Sequence, residues 1–362
     1  MPHALLLSGS LGQGHDVMAL ACADSLSQRG WTTGTRDAMR LLGRTAGAAG
    51  EGVFRRMLAV PGVYDAFHFS ALRPGNQLAL LADSAARRRL APRLRRLLDE
   101  EPADLVVSVF ATAASAVNQV RAGRGPAPVH MVFCTDVTPH RLWVHEETDM
   151  FLVTSEVAAC GVRRYRPDAE IAVVPPPLRA GFYTPPTRAA ARAEFGIPDD
   201  AECVLLMSGA WGLGPVAEAA EALAAAGPHV LAVAGRNRAL EARLRDLERR
   251  QHRVHAFGLT DRVPSLMAAA DLVVTSSGDT CSEARALGRP LLLLDVVQGH
   301  GRDNLQHELE LGHAEVSSAR PHEVVRNALA ALTRAGVSAP ATPTRAGWEK
   351  AFSDALARVG LA

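Results

Sequence analysis

Ser8-Gly9-Ser10-Leu11-Gly12-Gln13-Gly14-His15 and Ser208-Gly209-Ala210-Trp211-Gly212-Leu213-Gly214 carry one pattern, Ser-Gly-x-x-Gly-x-Gly, in opposite halves of the chain. Each copy follows an apolar run, Ala4–Leu7 or Val204–Met207, and each leads into an Ala-rich stretch with helical character. Strand, glycine turn and helix in that order open a nucleotide-binding βαβ unit. Two such openings predict two Rossmann-like α/β domains facing each other across a cleft.

Outward from the first copy, apolar runs predict strands at Leu5–Ser8, Leu105–Phe110, Val129–Phe133, Met150–Thr154 and Ile171–Val174. Thr32–Arg36 is β-prone, and Val17–Arg29 reads as a helix. Pro175, Pro176, Pro177, Pro185 and Pro186 interrupt regular structure and set the linker there. Around the second copy, strands are expected at Val204–Met207, Val230–Ala234, Val254–Phe257, Leu272–Thr275 and Leu291–Asp295, with a clear helix at Arg238–Arg250. The alternation implies parallel sheets whose ligands lie beyond the strand C-termini. The expected layout is an N-terminal domain over 1–178, a linker over 179–186 and a second domain over 187–338. A Pro/Thr-rich tether and a terminal helix, Arg345–Arg358, occupy 339–362 and are expected to cross back.

A chain of 362 residues with 48% apolar content has room for two buried cores. A net charge of +1 argues against a nucleic-acid partner. Five Cys without a C-x-x-C spacing argue against a disulfide framework or a zinc site and suit a reducing cytoplasm. There is no basic leader with an apolar core, and no apolar run approaches the roughly 20 residues of a membrane span. Membrane contact is therefore expected to be peripheral, on the inner face of the cell membrane. Its candidate lies between Arg40 and Arg96, where eleven Arg face only Glu51, Asp65 and Asp83. Phe54, Tyr64, Phe67 and Phe69 alternate there with Arg55, Arg56 and Arg73, and an Arg-rich helix with Arg87, Arg88, Arg89, Arg93, Arg95 and Arg96 follows. Basic residues beside aromatics suit an anionic membrane surface; a solvated helix face is the alternative.

The polar loops fall after strands. In the first turn, Gly12 and Gly14 let backbone N–H groups approach a phosphate or sugar, and His15 follows directly. A dinucleotide reading would use Asp37 for the ribose, but the spacing is G-x-x-G-x-G rather than G-x-G-x-x-G. A helix-capping turn with an incidental His remains open. Asp136 ends a strand with His140 and Trp143 on its loop; it reads either as a general base, or an orienter of one, or as a turn cap. Gly235-Arg236-Asn237 reads as a turn. Ser276-Ser277-Gly278-Asp279-Thr280-Cys281-Ser282-Glu283 offers N–H groups and hydroxyls for a diphosphate and a carboxylate for two ribose hydroxyls, or a plain N-cap. Gln298-Gly299-His300-Gly301-Arg302-Asp303-Asn304 is a further polar loop on the same sheet edge.

Taken together and in order, these loops resemble the monogalactosyldiacylglycerol synthase type of glycosyltransferase, and more distantly the N-acetylglucosaminyl transferase that forms lipid II. The likeness rests on Gly12, Gly14 and His15; on Thr135, Asp136, His140 and Trp143, followed by Asp149, Ser155 and Glu156; on Gly209, Gly212, Gly214 and Pro215; on Gly235, Arg236 and Asn237; on Thr280, Ser282 and Glu283; and on Gly299 and Asn304. It implies a GT-B fold, an inverting reaction and a UDP-sugar donor in the second domain, with a lipid hydroxyl such as that of diacylglycerol as acceptor. No metal or other cofactor is implied, in keeping with the absence of Asp-x-Asp. It also implies roles. Glu283 would hold the ribose, the backbone at Gly258 and Leu259 the uracil, and Ser277, Gly278, His300 and Asn304 other parts of the donor. Gly12, Gly14, His140 and Trp143 would lie on the acceptor side, with His15 or Asp136 as base. The chain departs from the family at Thr275-Ser276-Ser277-Gly278 (Lys-Pro-Gly-Gly), at Gly299-His300-Gly301 (Gly-Gln-Glu) and at Trp211 (Glu). The sugar thus stays open, as do a soluble acceptor and a UDP-sugar epimerase or nucleotide-sugar-binding protein on the same fold.

Overall fold

A computed structural model describes residues 1–9, 14–43, 77–123, 127–209, 211–297, 300–312, 314–334 and 344–361. The chain divides into two compact units. One comprises Met1–Pro177 with Gln298–His300 and Pro343–Ala362; the other comprises Leu178–Val297 with Gly301–Thr342.

The first unit holds strands β1 (His3–Ser8), β2 (Thr32–Asp37), β3 (Leu105–Ser108), β4 (Val129–Phe133), β5 (Met150–Val153) and β6 (Ile171–Val173). They form one parallel sheet in the order β2-β1-β3-β4-β5-β6. Its helices are α1 (Gly14–Ser27), α2 (Ala38–Leu41), α3 (Gln77–Glu100), α4 (Ala111–Ala122) and α5 (Glu156–Arg163). The central strands are apolar throughout because both faces are covered. Leu6, Val107 and Phe133 pack on Met18, Cys22 and Leu26 of α1. Leu5, Leu7 and Val106 turn to the other face and meet Leu90, Leu94 and Leu98, spaced by four along α3. The terminal helix, Arg345–Arg358, belongs to this unit. Thr344 caps its start, and Trp348 stacks on Phe133 at 5.8 Å and on Phe352 at 5.1 Å.

The second unit holds β7 (Cys203–Met207), β8 (His229–Val233), β9 (Val254–Phe257), β10 (Leu272–Thr275), β11 (Leu291–Leu294) and β12 (Ala314–Ser317), parallel, in the order β12-β11-β10-β7-β8-β9. Its helices are α6 (Arg188–Phe195), α7 (Val216–Ala226), α8 (Arg238–Arg250), α9 (Val263–Ala269), α10 (Asp279–Ala286), α11 (His300–Glu310) and α12 (Pro321–Thr333); the terminal helix is α13. Strand β12 was not expected: as an edge strand it leaves Glu315 and Val316 exposed, so it lacks the apolar run that marks the others. The stretch read as a linker contains a 3-10 turn, Ala180–Phe182, whose Phe182 is buried in this unit's core.

Counted from its first strand, the second sheet runs 3-2-1-4-5-6, the order of dinucleotide-binding domains. The first runs 2-1-3-4-5-6, the flavodoxin-like order with one strand more. Each sheet reverses its winding once, between β1 and β3 and between β7 and β10. At such switch points the loops diverge and leave a crevice at the strand C-termini. The two glycine patterns sit at these two points. Among the described residues no helix is long and apolar enough to cross a membrane.

Candidate functional site

In the first unit α1 begins at Gly14, so His15 and Asp16 both lie in its first turn. Ser8 Oγ donates to Asp16 Oδ1 at 2.5 Å. A carboxylate there offsets the positive end of the helix dipole, which disfavours an anionic ligand at this turn. His15 Nδ1 lies 2.6 Å from the carbonyl oxygen of Val109, the residue just beyond β3. A carbonyl only accepts, so Nδ1 carries the hydrogen, and in the neutral ring Nε2 is the proton acceptor. Phe110 braces the imidazole edge-on at 5.4 Å. Gly9 makes this possible, since a Cβ there would stand 2.6 Å from the Phe110 ring. Asp37 is no ribose ligand: it caps α2, accepting from Met39 N at 2.8 Å.

Asp136 sits just beyond β4 at the same sheet edge. Its Oδ2 accepts from Trp143 Nε1 at 2.8 Å and lies 3.4 Å from His140 Nε2. Trp143 is buried, and its backbone N–H bonds to His140 O, so Asp136, His140 and Trp143 form one knot. Sequence reasoning did not anticipate the Val109 carbonyl as the partner of His15 Nδ1. Two strand spacings, about 10 Å, separate β1 from β4, and the Asp136 carboxylate is engaged within its own loop. Gly12 lies outside the described residues.

In the second unit, four buried polar atoms lack hydrogen-bond partners among the described residues: Ser208 Oγ after β7, Thr275 Oγ1 at the end of β10, Asn304 Oδ1 on α11 and, before β11, Arg289 Nε. Strands β7 and β10 are paired, so Ser208 and Thr275 end neighbouring strands at the switch point. Orphaned polar groups at such a place call for a ligand or water. The Gly212 backbone is left-handed (φ +55°), and a Cβ there would lie 2.8 Å from Ala234 O. That close approach seats the second glycine turn, which includes Gly214, against Gly235-Arg236-Asn237. Asn237 Oδ1 caps α8 through Leu240 N at 3.0 Å, and its Nδ2 reaches Trp211 O at 3.4 Å. Arg236 is exposed between these turns.

Helix α10 starts at Gly278 without a side-chain cap, although Asp279 occupies its first turn. Glu283 is buried one turn on. Burial pushes its carboxyl up to about 7, against the pull of Arg179, whose Nε donates to Glu283 Oε1 at 2.8 Å. Two expected donor ligands are engaged differently. Ser277 Oγ donates to Gly301 O at 2.5 Å, tying the start of α10 to α11, and Ser282 Oγ accepts from Arg285 at 3.0 Å. Arg285 also pairs with Glu308 of α11, whose carboxyl burial pushes up. Thr280 is half-buried in the same turn. Gly258 lies against the Glu241 carboxylate, where a Cβ would be 2.5 Å from Oε1, and Leu259 is exposed. Gly299 and the side chain of His300 lie outside the described residues. Arg179 was missed by sequence reasoning; a lone Arg after a proline run gives no sign of a partner 104 residues away.

The family model for monogalactosyldiacylglycerol (MGDG) synthase matches residues 69–168. The processive diacylglycerol beta-glucosyltransferase of Bacillus mycoides is 29% identical over 229 residues, 62% of this chain and 58% of that protein. Monogalactosyldiacylglycerol synthase 1, chloroplastic, of Arabidopsis thaliana is 28% identical over 237 residues, 61% of this chain and 44% of that protein. The chain thus spans about half the length of the curated relatives it matches. Among solved structures, Acinetobacter baumannii MurG superposes with a TM-score of 0.56 at 13% identity, covering 100% of this chain and 98% of that one. UDP-GlcNAc 2-epimerase from Neisseria meningitidis bound to UDP-GlcNAc gives 0.62 at 12% identity, covering 99% and 100%. At these identities the likeness shows the fold alone. With both sheets and the ordered motifs, the chain has the GT-B fold and is similar in sequence to the monogalactosyldiacylglycerol synthase-type glycosyltransferases.

Proposed function

We propose that the chain is an inverting glycosyltransferase that moves a hexose from a UDP-sugar, held by the second unit, to the hydroxyl of a lipid such as diacylglycerol. One observation carries the donor half: the uncapped start of α10 at the switch point, with the buried Glu283 carboxylate in the next turn. The helix start would take the diphosphate and Glu283 the ribose hydroxyls. The acceptor half rests on His15 and on the names of the curated relatives, which act on diacylglycerol or make monogalactosyldiacylglycerol. His15 Nε2 would remove the acceptor proton as its oxygen attacks the anomeric carbon. The bond to UDP breaks in the same displacement, which inverts that carbon. The leaving diphosphate would be neutralised by the N–H groups of α10 and by Arg236, without a metal.

The test is UDP release from UDP-glucose and UDP-galactose, with and without a diacylglycerol dispersion. Release that depends on the lipid and survives excess chelator is expected. Release restored only by magnesium or manganese would remove the metal-free reading. Epimer formation without acceptor would favour a UDP-sugar epimerase.

We also propose that the first unit meets anionic lipid at the inner face of the cell membrane. Arg88, Arg89, Arg93, Arg95 and Arg96 are exposed on α3 while Leu90, Leu94 and Leu98 face the core. Arg55 and Arg56 lie outside the described residues. Sedimentation with vesicles should rise with anionic lipid and fall with salt, because exposed charges are screened over about 8–10 Å. Binding indifferent to both would refute this.

A further inference from the structure

Arg179 opens the second unit, directly after Leu178. Its guanidinium lies over the Phe182 ring, 5.1 Å from the centroid, and its Nε donates to Glu283 Oε1. The two side chains are 28% and 7% exposed, so the carboxylate is almost wholly withdrawn from water and the cation is partly so. An ion pair of this kind seldom repays its desolvation in stability alone. Phe182 is itself buried, so the cation has a fixed apolar wall on one side and the carboxylate on the other.

We propose that Arg179 is a positioning residue of the donor site: it holds Glu283 ionised and turned so that the second carboxylate oxygen, Oε2, accepts from the donor's two ribose hydroxyls. This rests on the reading of the second unit as a UDP-sugar site. A carboxylate offers two acceptor oxygens, whereas a carboxylic acid must give one of them up to its proton. Glu283 stands close to that change. Burial and Asp279, on its own helix, both favour the acid, and Arg179 opposes them. Arg285, the next cation on α10, is occupied by Glu308 and Ser282. Loss of Arg179 therefore lets the carboxyl take up its proton at neutral pH, and the ribose loses its acceptor.

UDP titration calorimetry across neutral pH on the full chain tests this, with wild type, Arg179→Gln, Arg179→Lys and Glu283→Gln compared. The titration of UDP itself is common to all four proteins and cancels between them. Wild-type affinity should fall as pH drops through about 7. In Arg179→Gln the midpoint should move up by about one to three pH units, the usual effect of a neighbouring Arg on a carboxyl. Arg179→Lys should return most of that shift, and Glu283→Gln should show no such midpoint. If Arg179→Gln does not fold, the upward shift in Arg179→Lys decides. A variant weakened by one factor at every pH, or not weakened at all, would overturn the positioning role while leaving the UDP site standing. A folded wild type that binds no UDP at any pH would overturn the site and this role with it.

Discussion

The two glycine turns share a sequence pattern and differ in how their polar groups are satisfied. The first ends in a helix whose opening turn carries His15 and an Asp16 carboxylate bonded to Ser8. The second stands beside β10, from which α10 starts without a side-chain cap, with orphaned hydroxyls at Ser208 and Thr275. Ser8 is satisfied by a carboxylate, whereas the hydroxyls of Ser208 and Thr275 have no partner among the described residues, so the second turn is the one whose polar groups call for a ligand or water. One backbone device thus sits at the switch point of two differently ordered sheets, and the proposed function gives it acceptor chemistry in one unit and donor binding in the other.

The largest expected effect breaks the comparison on the acceptor side. His15→Ala should lower turnover by about 10²-fold or more, with UDP affinity unchanged. Steady-state rates beside calorimetry check both, and Asp136→Asn should cost less. A His15→Ala enzyme with near-normal turnover and an inactive Asp136→Asn would transfer the role to Asp136. On the donor side, Glu283→Gln should weaken UDP by about 1–3 kcal/mol, a charge-assisted bond lost. Unchanged affinity in a folded variant would remove Glu283 from the site.

Stability should separate the turns next. Gly212→Ala forces a left-handed Cβ against backbone and should cost about 1–3 kcal/mol in denaturant unfolding. Gly9→Ala has no left-handed φ to strain and meets the Phe110 ring rather than backbone, and should cost less. Equal costs would mean that both turns are held in the same way.

The last effect is on acid tolerance. Burial pushes the His145 ring of the first unit down to about 4, and its ordinary value is about 6.5. As pH falls below about 6.5 the unfolded chain takes the proton first, so stability is lost down through about 4, by at most about 3 kcal/mol. The buried Glu283 works in the opposite sense: its folded form binds the proton first, so lowering pH from about 7 towards its ordinary value of 4.5 favours the folded second unit. Unfolding midpoints of His145→Gln and Glu283→Gln against pH should therefore depart from wild type with opposite signs.

Much of the architecture was legible because a buried parallel strand is an apolar run with polar ends, as at Val129–Phe133 and Leu272–Thr275. Strand β12 was not, since an edge strand needs no such run. The order of the strands, which separates the two units, depends on crossovers that no local pattern records. At the candidate site, spacing picked out His15 and Glu283 but not their partners. The Val109 carbonyl belongs to a residue with no polar side chain, and Arg179 reaches Glu283 only through the fold. Residue type marks Ser277 as polar but does not show that its hydroxyl donates to Gly301 O.

Hydrogen exchange of the full chain with and without saturating UDP tests most directly whether the two turns differ in what they bind. Protection is expected at backbone amides over Ser208–Gly214 and Thr275–Glu283, with none at Ser8–His15. Protection at Ser8–His15, with the second turn and the start of α10 unchanged, would contradict the account.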